Sequence, residues 1–361
     1  MGIAVSLVII VVVGILPHWQ INEFAITPGS AQPVAPLVTI HGLEKDAHHE
    51  KIMLTDVYLS QLTAWSYIWA HFQSHTQIIS GNDLTVPGVP TSQLVAQGYV
   101  DMENSKEDAK VAALRSLGWT IPQHDVGATV YAVQVPSPAA TAGISVGDRI
   151  VAVAGAPVTS SCDVFAAMKH HPVGTTVSLT LEKAKISPSG DITYAAAKPV
   201  AVTTVAPASS DAVTGCPGVS GPPTSVVGVG LEDAVSFTTP GDISISTPDI
   251  GGPSAGLAMT LTLIDQLSAG GLTGGRVIAA TGTISPDGTV GDVGGVAEKT
   301  IAVENAGATV FIVPAVEVST ARAAAKPSLH VEGVTTLAQA LKDLRDLGGS
   351  EPIPLTKPYP L

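Results

Sequence analysis

The chain has 361 residues, of which 36 are glycine and 27 proline, and its 30 acidic and 17 basic side chains give a formal net charge of −13. At ~100–200 residues per domain this length holds two compact domains with connecting segments. The acidic balance excludes a nucleic-acid backbone as partner, since neutralising phosphates needs clustered Lys and Arg; an apolar share of 45% excludes a polytopic membrane protein.

Residues 3–16 (IAVSLVIIVVVGIL) form an almost unbroken apolar run before Pro17. The run is short of the ~20 residues of a full helical span, and Trp19, Ile21 and Phe24 extend it through an aromatic border. The expectation is an uncleaved signal anchor over residues 1–26. It would attach a single-pass protein to the cell membrane, with its catalytic domain extracytoplasmic. A cleaved signal peptide, with Gly29-Ser30-Ala31 as a weak site, and a buried helix are the alternatives. A Pro-rich connector follows at 27–36, inside a mixed strand and helix region assigned 27–117. There residues 49–59 read as a strand, and 101–117 (DMENSKEDAKVAALRSL) as a helix with acids early and Arg115 late, as the helix dipole favours. His41, His48 and His49 lack HExxH spacing and read as a solvated loop, so no metal and no cofactor are expected.

From residue 118 the texture changes to short strands. In SPAATAGISVGDRIVAVAGAPV (137–158), Pro138 starts a short helix, Gly143 ends it, and Gly147-Asp148 turns the chain into an apolar strand. Ser161 caps a helix running to Lys169, and residues 175–181 alternate as a strand. This stretch resembles a PDZ domain of the type attached to bacterial proteases, assigned 118–205. The resemblance implies a groove between a strand and a helix that takes a peptide C-terminus as an added strand. It also implies a carboxylate-binding turn of apolar-Gly-apolar pattern ahead of the first strand. Leu117-Gly118-Trp119 is the nearest match, which makes Gly118 and Trp119 the peptide-binding candidates; Gly127 competes, and plain turn geometry is the bland alternative. The only cysteines, Cys162 and Cys216, form one disulfide if the chain lies outside the cytoplasm, or are two unrelated thiols. Residues 206–225, rich in Ser, Pro, Gly and Ala, read as a linker.

The chemistry lies further on. Pro248 to Gly256 (PDIGGPSAG) is a tight turn leading into AMTLTLIDQL, an apolar run of helical length, with Ser254 at or just before the first turn. Free N–H groups and the helix dipole stabilise an anion developing there, and Gly252 leaves room for a peptide backbone. A capping serine is the competing explanation. Serine needs a base. Downstream of Ser254 the only histidine is His330, whereas Lys299 is the only lysine between Lys198 and Lys326. Gly294-Gly295 precede a helix beginning near Val296, and Val296 and Val303 share roughly one face with Lys299. A charged lysine on an apolar face is costly, so its pKa should fall and leave a neutral amine as base. A snorkelling surface lysine is the alternative.

GPSAGLA (252–258) and TGTISPDGTVGDVGGVAEKTIAVENAGATVFIVP (281–314) together resemble the proteolytic domain of Lon. The resemblance implies an α+β domain over 226–347, followed by an extended tail at 348–361. It implies Ser254 as nucleophile, Lys299 as general base and then acid, Thr281 orienting Lys299, and amides around Ser254 as oxyanion hole, with Gly252 a supporting small neighbour. Lon proper carries acids where Gly251 and Thr283 stand here, for which Asp249 is a possible substitute, and no GxxxxGK[ST] phosphate loop occurs. Anchor, PDZ and Lon-type domain without an ATPase resemble bacterial PDZ-containing Lon-like peptidases. That implies an ATP-independent serine endopeptidase for peptides or unfolded proteins and, by resemblance alone, a homo-oligomer. A PDZ adaptor with an inactive protease-like domain and a His330-dependent esterase are the competing functions.

Overall fold

The computed structural model describes residues 14–46, 51–187, 190–208, 216 and 223–358; His48, His49 and the first half of the expected anchor lie outside them. In chain order the main strands are β1 (Gln20–Pro33), β2 (Ile52–Thr63), β3 (Gln77–Ser80), β4 (Gln123–Val133), β5 (Arg149–Val153), β6 (Thr176–Glu182), β7 (Lys198–Thr203), β8 (Val229–Phe237), β9 (Ile278–Ala280), β10 (Val310–Pro314) and β11 (His330–Val334). The helices are α1 (Ala64–Ala70), α2 (Leu94–Ser116), α3 (Pro138–Thr141), α4 (Ser161–Met168), α5 (Gly256–Leu267), α6 (Val296–Asn305), α7 (Val318–Ala324) and α8 (Leu337–Asp346). They fall into two compact units, each drawn from separate stretches of sequence.

The first unit takes its described residues from 14–84, 108–119 and 254–358. Its sheet has the order β11-β10-β9-β2-β1-β3. β11, β10, β9 and β2 are parallel neighbours, while β2–β1 and β1–β3 are antiparallel. Parallel neighbours need crossovers, and α6 and α7 supply them between β9, β10 and β11. The result is a mixed α/β fold, which corrects the α+β expectation. Met53, Ala279, Phe311 and Val313 on the sheet pack with Val296 and Val303 of α6 in one core. All twelve residues of α5 are buried. Its hydroxyls survive there because Thr260 and Thr262 donate to the carbonyls of Gly256 and Ala258 at 2.8 and 2.9 Å.

The anchor is a second correction. Among the described residues no helix is long and apolar enough to cross a membrane, so neither a transmembrane helix nor a single-pass placement in the cell membrane is supported. Residues 20–33 are instead β1, hydrogen-bonded to β2 on one side and β3 on the other. Phe24, Ala25 and Ile26 are buried in it at 4–8% exposure. What reads as the aromatic border of a membrane span is an inner strand of a sheet.

The second unit takes its described residues from 85–107, 120–208, 216 and 223–253. Its sheet has the order β7-β6-β5-β4-β8. Val130, Ile150, Leu179 and Leu181 on the strands pack against Val164 and Met168 of α4. Ser160, rather than Ser161, caps α4, because its hydroxyl accepts the Asp163 N–H at 3.1 Å and Asp163 reaches back to the Ser160 N–H at 3.0 Å. Asp148 is buried, accepting from Ser145 N–H, Ala184 N–H and Lys183 Nζ, which explains a Gly-Asp turn ahead of β5. The last strand, β8, comes from beyond residue 226 and pairs with β4 from Val229–Val133 to Phe237–Gln123.

Cys162, in the first turn of α4, is bonded to Cys216, with Cα atoms 5.3 Å apart and a sequence separation of 54. A cross-link of that span restricts the unfolded chain, so Cys162→Ser/Cys216→Ser should cost the second unit about 2–4 kcal/mol in urea unfolding. The same loss should follow treatment of the wild type with reductant. A wild-type transition indifferent to reductant would remove this role.

Candidate active site

Ser254, Thr281 and Lys299 all belong to the first unit. Lys299 is the fourth residue of α6. The helix begins where it does because Gly295 takes a left-handed φ of 68° with no room for a side chain: a Cβ there would lie 2.9 Å from Val57. From this start the Lys299 side chain is directed inward and is only 2% exposed. Its Nζ donates to Thr281 Oγ1 at 3.2 Å, and Thr281 Oγ1 donates to the carbonyl of Ser254 at 3.2 Å.

Thr281 is held from its backbone as well. It follows β9 directly, and its N–H donates to the Ile312 carbonyl on β10 at 3.0 Å. The next N–H, of Gly282, donates to the Ser254 carbonyl at 2.9 Å, and the Gly282 carbonyl accepts from Leu257 N–H at 3.1 Å. Ser254 itself sits half-buried in a single 3-10 turn, Pro253–Ala255, that runs into α5. The Thr281–Gly282 step thus ties the serine segment to the sheet and presents a hydroxyl oxygen to the lysine. That hydroxyl spends its proton on Ser254 O, so its oxygen only accepts from Nζ. The lone pair of a neutral Lys299 amine is left for another proton.

Burial drives the Lys299 amine down to about 8, against a smaller upward pull from the carboxylates of Glu317 and Asp56. Glu317 is itself pushed up, chiefly by burial, although the Val293 N–H and Lys299 oppose the shift. These two acids were not singled out from sequence. Asp56 had a signal, as the one carboxylate in the largely apolar stretch IMLTDVYL.

Other expected residues are placed differently. Gly252, in the second unit, has a φ of 87° and donates its N–H to the Gly98 carbonyl at 2.7 Å, so that amide is already engaged. Asp249 is also in the second unit, and Thr283 pairs with Gly291 in a short ribbon. His330 begins β11 opposite Val310, at the amino ends of the parallel strands, whereas Thr281 follows their carboxyl ends. It bonds Glu332 at 2.7 Å on the surface, too far along the sheet to serve Ser254. Gly118 and Trp119 close α2 in the first unit: Gly118 has a φ of 93°, and Trp119, 5% exposed, donates its N–H to the Leu114 carbonyl at 3.0 Å, a helix C-cap.

The groove of the second unit lies elsewhere. An apolar cleft of ≈ 380 Å³ runs between Val164, Phe165 and Met168 of α4 and Val227, Gly228 and Val229 at the start of β8. Val227-Gly228-Val229 has the apolar-Gly-apolar pattern sought at residues 117–119. It was missed because the groove strand is the last of its sheet in chain order.

Residues 101–187 match the PDZ domain family, and residues 237–344 match the Lon protease (S16) C-terminal proteolytic domain. A Serine protease Do-like HtrA from Lactococcus lactis subsp. cremoris is 46% identical over 54 residues, 15% of this chain. The match spans only 13% of that relative's length. Among solved structures, the PDZ domain of an SdrC-like protein from Listeria monocytogenes is 21% identical, covering 29% of this chain and 87% of its own, with a TM-score of 0.22.

Proposed function

The chain joins a PDZ domain to the proteolytic domain of a Lon-type serine protease, and from that premise we propose an ATP-independent endopeptidase working through a Ser254–Lys299 dyad. Its substrates are exposed or unfolded segments of proteins. The observation that carries the reading is the buried Lys299 amine, hydrogen-bonded to the threonine that grips the Ser254 backbone. Neutral Lys299 takes the Ser254 hydroxyl proton as Oγ attacks the scissile carbonyl. The protonated amine then returns that proton to the leaving amine, freeing the first product and leaving an acyl-serine. Water attacks the acyl group with Lys299 again as base, and Oγ recovers its proton. An amine at about 8 is a competent base near neutrality, and activity should rise with pH up to that value. No GxxxxGK[ST] phosphate loop occurs in these 361 residues, which supports a reaction without ATP. Without a motor, stably folded proteins should resist cleavage.

The cleft between α4 and β8 suits a peptide C-terminus. β8 pairs with β4 alone, so its outer edge is open to an added strand, and apolar side chains of the peptide would enter among Val164, Phe165 and Met168.

Casein cleavage without nucleotide tests the reading. Wild type should cleave, and Ser254→Ala should be at least about 10³-fold slower with its fold intact. If Ser254→Ala keeps wild-type activity, the peptidase reading fails and a peptide-binding adaptor takes its place.

A further inference from the structure

Lys299 is an expensive side chain to keep where it is. It is 2% exposed, its ammonium form has three N–H donors, and among the described residues it makes one hydrogen bond, to Thr281. Isolated burial of such a charge costs several kcal/mol. The acids that a Lon-type domain would bring from positions 251 and 283 are absent, replaced by Gly251 and Thr283.

Two other carboxylates stand at the same edge of the sheet. β2, β9 and β10 are adjacent and parallel, with Met53 beside Ala279 and Ala280 beside Ile312. Each delivers a polar residue just past this pairing: Asp56 within β2, three residues after Met53, Thr281 directly after β9, and Glu317 three residues after Pro314. Both acids are fixed in place. Asp56 accepts from Ser30 N–H at 2.7 Å and Ser30 Oγ at 2.8 Å, where the β1–β2 register breaks between Pro28 and Ala31. Gly29 makes the approach possible, since a Cβ there would fall 2.0 Å from Asp56 Oδ1. Glu317 Oε1 accepts from Val293 N–H at 2.8 Å, while its Oε2 is buried without a hydrogen-bond partner. A buried carboxylate oxygen with no donor is costly unless a cation compensates it.

We propose that Asp56 and Glu317 are positioning residues for Lys299: a two-carboxylate cradle, recruited from β2 and the segment after β10, that replaces the missing acids and holds the Nζ group at Thr281. The inference rests on Lys299 being the base. Other charges lie on the surrounding elements. On α6, Glu304 pairs with Lys326, and Glu298 is buried at 5% exposure with its Oε2 also unpartnered, yet Glu317 and Asp56 are the carboxylates that act on Lys299. On β1 the only charged residue is the half-buried Glu23. On β2, Tyr58 is exposed. On α7, Arg322 donates to the Val331 carbonyl, and Asp292 acts on Glu317.

The test reads Lys299 directly, by titrating its ¹³Cε resonance in ¹³C-lysine-labelled Ser254→Ala protein, the signal assigned with Lys299→Arg. Adding Glu317→Gln or Asp56→Asn should lower the Lys299 midpoint by about one pH unit each. In the same substitutions with Ser254 present, the acid limb of kcat/KM on casein should move down equally, with KM little changed. A purely structural role would lower Tm and leave the midpoint alone. Midpoints unchanged or raised in both variants overturn the cradle. If Asp56→Asn does not fold, Glu317→Gln decides alone, because its amide still accepts from Val293. The NMR titration needs no turnover, so a failure of the dyad and a failure of the cradle give different results.

Discussion

Replacing Lys299 with methionine should lower kcat/KM on casein by about 10⁴-fold while making the first unit more resistant to urea. The two effects share one cause. Removing a general base that also returns the proton forfeits up to about 10⁴ in rate. Removing a buried ammonium relieves a standing penalty. Burial brings Lys299 from 10.5 to about 8, a gap worth on the order of 3 kcal/mol. Its sign follows from proton counting. Between about 8 and 10.5 the unfolded chain keeps a proton that the folded protein has released, so stability rises with pH across that window. Below about 8 both states are protonated and the whole penalty stands. Methionine matches the stem in length and removes the charge, so at pH 7 most of that penalty should disappear. Casein hydrolysis and urea unfolding, measured on the same sample, check both halves. Undiminished cleavage would remove Lys299 from the chemistry; a loss of stability would mean that its charge is fully compensated.

Cutting the chain at residue 27 should disable it, although an anchor ending at residue 26 would make that cut harmless. The cut removes the first half of β1, including the whole stretch paired with β3 from Glu23–Ser80 to Ile26–Gln77. It also removes Phe24 and Ile26 from the core. Two large apolar side chains contribute about 1.5–3 kcal/mol each, against a total stability of ~5–15 kcal/mol, and the backbone hydrogen bonds of an inner strand go with them. A chain starting at Gly14 should unfold cooperatively and cleave casein. One starting at Thr27 should lose the first unit's transition and all cleavage. Equal behaviour of the two in circular dichroism and activity would return the N-terminal stretch to the role of a dispensable leader.

Ser254, Thr281 and Lys299 each lie in a short segment whose turns and glycines are local, but the residues alone left a capping serine and a snorkelling lysine open, and Thr281 was marked only by the resemblance to Lon. The start of α6 at Val296 was legible, given Gly294-Gly295. β1 was not. The apolar run before it merges with its own buried residues, and Phe24, Ala25 and Ile26 are buried in succession, because a strand covered on both faces does not alternate. Asp56 and Glu317 escaped notice because parallel pairing brings them to one edge from positions 261 residues apart (317 − 56). The apolar-Gly-apolar pattern at Val227-Gly228-Val229, beside the cleft lined by α4, escaped a search ahead of the first strand because it stands at the sheet's last.

The interleaving of the two units also sets a timetable for synthesis. β1 and β2 emerge early, but the strands that complete their sheet begin only at Ile278, 215 residues after Thr63 (278 − 63). At ~5–20 residues per second this is roughly 10–40 s. In that interval Ile52 and Leu54, fully buried in the finished protein, have β1 on one side but no β9 on the other, and the whole second unit is made. The Thr281–Lys299 pair forms only once α6 and β10 have been translated. A ribosome carrying this chain therefore holds the second unit complete well before Ser254, Thr281 and Lys299 can be brought together.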